Sequence, residues 1–170
     1  MSQLHDLLES LGEPSKDLRI NMQNVLTEST LSEPLRIAVA LACSRATRTS
    51  ALTEALTTLC IEKGGQNYVD DAIAAASLMG MNNIFYRFRH MIHKESYQKM
   101  HPRLRMQRLS KPATTKAEFE LLSLAVSAIN GCEVCMQAHE QTSLVHGLSE
   151  ENVVDAIRIA ATVHGLAAAL

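Results

Sequence analysis

Two cysteines three residues apart, Cys132 and Cys135, with His139 four residues after the second, have types and spacing that could do chemistry. They stand in the stretch INGCEVCMQAHEQ. On a helix opening near Cys132, positions i, i+3 and i+7 share a face, so both sulfurs and the imidazole form one stripe. His139 lies one turn beyond Cys135, within hydrogen-bond or one-water reach. Free backbone N–H groups and the positive end of the helix dipole surround Cys132 and act more weakly on Cys135; both favour thiolate. The next helix positions are Met136, Gln137 and Ala138, which leaves His139 as the base. Glu120, in the apolar run AEFELLSLAVSAI on the helix leading into the motif, is the candidate to orient that base or relay its proton. Its neighbours Phe119, Leu121 and Leu122 predict partial burial and therefore a raised pKa.

Three chemistries are open to the cysteine pair at this point. It could be a redox couple, or half of a zinc site with His139 and Glu120, although no second Cys-x-x-Cys closes a tetrahedral set. It could also be two inert core residues, since free cysteine is commonly buried. Glu120 could equally be an ordinary surface acid. The other candidates are bland. Cys43 and Cys60 sit in apolar helical contexts and read as core, and Met79, Met81, Met91 and Met100 as packing or loop residues. His164 reads as an interior or interface histidine, and His90 and His93 as solvated.

The elements that must position these residues are helices. The 170-residue chain is 46% hydrophobic and 4% aromatic, rich in Ala, Leu and Met, with no Trp. That is a helical vocabulary, because sheets favour β-branched and aromatic residues. The length suits one domain. A net charge of −2 gives no electrostatic case for nucleic acid or an anionic membrane. The basic run RFRHMIHK reads as a solvated face. The longest uncharged apolar run, Ile37 to Ser44, is too short to span a bilayer, and the N-terminus has no secretory h-region. A cytoplasmic protein is expected, and in a reducing cytosol a Cys-x-x-Cys is more often catalytic or metal-binding than a staple.

Periodicity and punctuation predict helices over Ser2–Leu11, Lys16–Leu26, a segment capped by Ser32, Ala51–Lys63, Tyr68–Met79, Asn82–Lys99, Lys116–Asn130, Cys132–Val145, and a last helix capped by Ser149. The chain also resembles itself. An 84-residue shift lays VDDAIAAA (Val69–Ala76) on VVDAIRIA (Val153–Ala160) and sets Leu35–Thr47 against Phe119–Gly131. This suggests a duplicated unit, with halves at about 32–83 and 116–167. At that shift Cys132 meets Arg48, Cys135 meets Ala51, His139 meets Ala55 and Glu120 meets Arg36, so the frame occurs twice and the reactive residues once.

The segment FELLSLAVSAINGCEVCMQAHEQT resembles the active-site segment of the alkylhydroperoxidase D family, relatives of the carboxymuconolactone decarboxylases. The shared pattern is Glu120, eleven residues, Cys132-x-x-Cys135, three residues, His139. The resemblance implies an all-α subunit, usually a homotrimer, with no bound cofactor. It implies thiol peroxidase and disulfide-reductase chemistry on an organic hydroperoxide. Reducing equivalents would come from the lipoyl group of a lipoylated protein and pass to a peroxiredoxin of the alkyl hydroperoxide reductase type. By position, Cys135 is the peroxide-attacking thiol that becomes a sulfenic acid, and Cys132 the resolving partner that closes a Cys132–Cys135 disulfide. His139 and Glu120 are the proton relay. One position departs: close members often carry Cys-x-His-Cys, where this chain has Val134. Two alternatives accompany this expectation, a decarboxylase on the same fold and a non-catalytic redox-sensing or adaptor protein.

Overall fold

The structure is a computed structural model that describes residues 3–170; the helix start expected at Ser2 lies outside them. Among the described residues there is no strand. The order is α1 (Gln3–Glu9), α2 (Lys16–Thr27), α3 (Glu33–Ala46), α4 (Ser50–Gly64), α5 (Gln66–Ile92), α6 (Glu95–Lys99), α7 (Lys116–Ile129), α8 (Glu133–Val145) and α9 (Glu150–Ala169). Single 3-10 turns occupy Glu13–Ser15 and Gln107–Ser110. Among the described residues no helix is long and apolar enough to cross a membrane.

Two helices are buried all round. Residues 37–44 of α3 and 119–127 of α7 are buried without interruption, which places both at the centre of the domain. Helices α5 and α9 pack against both, while α4 folds back on α3 and α8 on α7. Met22, Leu41, Leu56, Met79, Phe119 and Leu166 are among the fully buried side chains. Each such residue contributes roughly 1.5–3 kcal/mol from apolar burial.

The break expected between Met79 and Asn82 does not occur. Helix α5 runs through Gly80 for 27 residues, about 40 Å, and ends at His93, whose φ of 52° is left-handed. A glycine inside a helix costs only about 1 kcal/mol, less than one well-packed core side chain returns, and Met79 and Asn83 beside it are buried in the centre. Only Glu95–Lys99 of the remaining expected span forms a separate turn of helix.

The 84-residue register holds for the starts of α5 and α9, Gln66 and Glu150, but not for the helices before them. Helices α3 and α4 start at Glu33 and Ser50, α7 and α8 at Lys116 and Glu133, a spacing of 83. The turns agree. Thr47 N donates to Cys43 O, Arg48 N to Arg45 O and Thr49 N to Ser44 O; 83 residues on, Asn130 N donates to Val126 O, Gly131 N to Ala128 O and Cys132 N to Ser127 O. The left-handed residue of each turn is Arg48 (φ 60°) and Gly131 (φ 64°). Cys132 therefore stands opposite Thr49 rather than Arg48, Cys135 opposite Leu52 rather than Ala51, His139 opposite Leu56 rather than Ala55, and Glu120 opposite Ile37 rather than Arg36. In Ala-rich helices a one-residue slip loses little apolar similarity, whereas hydrogen bonds in a turn admit one register. The correction matters for the site: Ile37, Leu52 and Leu56 are core residues, so the reactive groups of the second turn occupy inward-facing positions.

The aspartates matched in the sequence do equivalent work. Asp71 accepts hydrogen bonds from Ala113 N at 3.0 Å, Thr114 N at 2.8 Å, Thr114 Oγ1 at 2.7 Å and Arg108 Nη2 at 2.8 Å. Asp155 accepts from Thr30 N at 2.6 Å, Thr30 Oγ1 at 2.9 Å, Ser29 Oγ at 3.2 Å and Arg158 Nη1 at 2.8 Å. Each carboxylate thus holds the segment that enters α7 or α3 from across the domain. Burial pushes the Asp155 carboxyl up, but the bonds from Thr30, Arg158 and Ser29 outweigh it and hold it below its ordinary value.

Candidate active site

The α7–α8 joint is built to leave the head of α8 open. Helix α7 ends at Asn130, Gly131 takes the left-handed conformation that a side chain resists, and Cys132 is extended (φ −97°, ψ 90°) as the N-cap. Helices α7 and α9 are closed by capping boxes, Thr115 with Glu118 and Ser149 with Asn152. Helix α8 has a sulfur where those have an oxygen, and no side chain caps it. The positive end of its dipole lies at Cys132.

Cys132 and Cys135 form a disulfide, with Cα atoms 5.3 Å apart. Cys132 is fully buried and Cys135 is 7% exposed, so any reagent approaches from the Cys135 side. The turn before the pair is clamped from α5. Buried Asn83 donates through Nδ2 to Ser127 Oγ at 2.9 Å, and its Oδ1 accepts from Asn130 Nδ2 at 2.9 Å. Arg87 donates to Asn130 O.

His139 and Glu120 are brought together. His139 Nδ1 lies 2.5 Å from Glu120 Oε2, and His139 Nε2 lies 3.2 Å from Met79 Sδ. The other Glu120 oxygen is ion-paired to Lys116 Nζ, which also donates to Leu109 O at 2.8 Å. The result is a continuous row, Lys116–Glu120–His139–Met79, beside the disulfide. Among the described residues no hydrogen bond joins His139 to Cys135: with the sulfurs bonded to each other, the ring nitrogens face Glu120 and Met79 instead.

Glu120 is buried, as its neighbours predicted, but the expected rise in its pKa is reversed. Burial pushes the carboxyl up; hydrogen bonds from His139 and Lys116, and their charge, more than offset it and hold the group below its ordinary value. Glu120 is therefore a standing carboxylate. It favours Nδ1–H on His139 and leaves Nε2 with the lone pair that a base needs.

Lys116 and Met79 are the partners that sequence reasoning missed. Lys116 stands four residues before Glu120, a spacing that could have flagged it. Met79 carried no local signal, since its partner is 60 residues away. Cys43 and Cys60 are fully buried in the core, and burial pushes the Cys43 thiol far above its usual range and that of Cys60 up to about 11. His90 and His93 are exposed, as expected; His164 is exposed too, which rules out the interior half of its expected placing. Among the described residues no group of three or more His, Cys, Asp or Glu side chains is arranged to hold a metal ion.

Residues 95–170 match the model of the carboxymuconolactone decarboxylase family. Over all 170 residues the chain is 46% identical to the alkyl hydroperoxide reductase AhpD of Anaeromyxobacter sp. (strain K), covering 91% of that protein. It is 46% identical to AhpD of Solibacter usitatus (strain Ellin6076) over 168 residues, which is 99% of this chain and 95% of the relative. AhpD of Beijerinckia indica is 36% identical over 167 residues, 98% of this chain and 93% of the relative. With likeness of this extent along its whole length, the chain belongs to the alkyl hydroperoxide reductase AhpD family.

Proposed function

We propose that this chain is a thiol-dependent alkyl hydroperoxide reductase working through Cys132 and Cys135. The observation that carries the proposal is a Cys-x-x-Cys disulfide at an uncapped helix head, beside a histidine whose Nδ1 is held by a buried carboxylate. In the reduced protein, His139 Nε2 turns from the Met79 thioether to the Cys135 thiol. The imidazole takes the thiol proton, and Glu120 stabilises the imidazolium.

The Cys135 thiolate attacks the terminal oxygen of the hydroperoxide. An S–O bond forms, the O–O bond breaks, and the proton on His139 goes to the departing alkoxide, leaving an alcohol and a sulfenic acid. Cys132 then attacks that sulfur; the S–S bond forms and the hydroxyl leaves with the Cys132 proton as water. Two thiols have been oxidised by two electrons, and one peroxide has been reduced to alcohol and water.

A dithiol reopens the disulfide by exchange, becoming a disulfide itself. We assign that part to the lipoyl group of a partner protein, and assign an alkyl hydroperoxide reductase peroxiredoxin as a second recipient of the reducing equivalents, in a cytoplasmic setting. A homotrimer belongs to the same reading, supported by exposed Phe88, Met91 and Ile92 at the end of α5. Val134, where close members carry histidine, leaves His139 as the imidazole of the step.

Stopped-flow oxidation of the reduced protein by an alkyl hydroperoxide, then re-reduction by dihydrolipoamide, tests the proposal. Cys135→Ser should abolish peroxide turnover, and full activity in that variant refutes it. A protein that cycles its disulfide with negligible turnover would instead be a redox sensor.

A further inference from the structure

A second feature lies on the other side of the Asn83–Asn130 clamp. A cleft of about 460 Å³ is enclosed by α5, the end of α3 and the turn at Asn130. This lies within the usual size range of small-molecule sites. Three arginines line it: Arg45, Arg48 and Arg87. No carboxylate lines it. Among the described residues no ion pair or side-chain hydrogen bond engages Arg45 or Arg48, although Glu54 stands beside both in an adjoining depression. Arg48 is the left-handed residue of the α3–α4 turn, at the position that Gly131 fills in the other turn. The rest of the wall mixes the apolar Ile73, Ala76 and Ile84 with the polar Ser77, Asn83 and Asn130; at Gly80 a side chain would meet open space. The cleft therefore offers both guanidinium groups and aliphatic side chains.

Guanidinium groups without acidic partners in a concave site focus positive potential and match a carboxylate in geometry. The turn that leads into the redox pair forms part of the cleft wall, although neither cysteine lines it. Asn130 lines it, and two residues of chain, at most about 7 Å, separate Asn130 from Cys132. Arg87 lines the cleft while donating to the carbonyl of that same residue.

We propose that the cleft selects substrate: it binds the carboxylate head and alkyl chain of a fatty-acid hydroperoxide and sets a preference for acidic over neutral hydroperoxides. The proposal rests on the peroxidase reading above and adds the substrate class to it.

The test compares steady-state kcat/KM for linoleic acid hydroperoxide and for neutral cumene hydroperoxide, in the full-length protein and in Arg45→Gln/Arg48→Gln. Equilibrium binding of unreactive decanoate, decanol and inorganic phosphate accompanies it, and circular dichroism checks the fold of the variant. The acidic hydroperoxide should be preferred at least tenfold, with the difference mainly in KM, and the variant should lose that preference. Decanoate should bind more tightly than decanol or phosphate, and its affinity should fall at least tenfold in the variant. Equal kcat/KM for the two hydroperoxides in the unmodified protein overturns the inference and leaves the peroxidase reading standing. So does decanoate affinity that is absent or indifferent to the two substitutions. Phosphate binding as tight as decanoate binding rules out the acyl side. Reduction of neither hydroperoxide refutes the parent reading, and the substrate role of the cleft falls with it.

Discussion

Replacing Glu120 by Gln removes one charge and almost no volume, and it asks whether the carboxylate is there for the imidazole. Glu120 serves two donors: the Lys116 ammonium on one oxygen and the His139 imidazole on the other. A hydrogen bond to a charged group is worth about 1.5–3 kcal/mol, against about 1 for the neutral amide that would replace it. The His139 share of the loss, roughly 1–2 kcal/mol, bears on the imidazolium that forms as the thiol ionises. It translates into about a 5- to 30-fold slower oxidation. That is a lower bound, because a glutamine amide can donate to Nδ1 and stabilise the tautomer whose Nε2 already carries the proton. The Lys116 share falls on stability and stays under about 1 kcal/mol, since the Lys116 side chain is 35% exposed. The pH dependence sharpens the test. With its folded pKa below the ordinary 4.5, Glu120 is ionised at any working pH, and its stabilising contribution is lost only as pH falls through the lowered value. The rate deficit of Glu120→Gln should therefore be flat from about pH 5.5 to 8, above the carboxylate range. Stopped-flow oxidation of the reduced variant across that range measures it. A variant as fast as the parent refutes the relay. A deficit that fades toward pH 5.5 means that Glu120 titrates there, which restores the raised pKa expected from its apolar neighbours.

Asp71→Asn and Asp155→Asn should each lower the unfolding free energy by about 2–4 kcal/mol, read as a shift in the urea midpoint, because each leaves buried donors facing an amide. Asp155→Asn should also flatten the acid limb of the stability curve, since the lowered pKa of Asp155 makes its contribution full above the ordinary range and lost only below it. Of the four thiols in the reduced native protein, iodoacetamide should modify that of Cys135 first, and reach Cys43 and Cys60 only after unfolding; mass spectrometry locates the adducts. Met79→Leu should keep the core within about 1.5 kcal/mol of the parent while removing the sulfur that holds His139 Nε2 in the oxidised form, and imidazole proton exchange by NMR reports the difference.

How much of this was legible in the sequence depends on the range of the interaction. The placing of Cys132, Cys135 and His139 on one helix needs only the period of that helix, and the expected ends of α2, α7 and α8 fall within a residue of the observed ones. The unbroken α5 did not show, because the local preference of Gly80 competes with packing contributed by α3 and α7, which no window around residue 80 contains. The sign of the Glu120 shift failed for a related reason. Burial can be read from flanking Phe119, Leu121 and Leu122, but the two hydrogen-bond donors that reverse its effect come from the previous helical turn and from another helix.

The duplicated turn carries this one step further. Apolar matching alone placed it one residue out of register, and in that register Cys132 and Glu120 faced two arginines, as if charge had been exchanged for chemistry. Hydrogen bonds in the turn put Glu120, Cys135 and His139 opposite Ile37, Leu52 and Leu56, side chains at most 3% exposed. A position that holds a fully buried aliphatic group in one turn imposes desolvation on whatever replaces it in the other. An ionised carboxylate there requires compensating donors, which Lys116 and His139 supply, and a thiol there is shielded from solvent until a reagent enters on the Cys135 side. The inward register therefore accounts for two properties of the site together, its closed disulfide and its charge-balanced carboxylate, and neither would follow had these residues stood on an outward face.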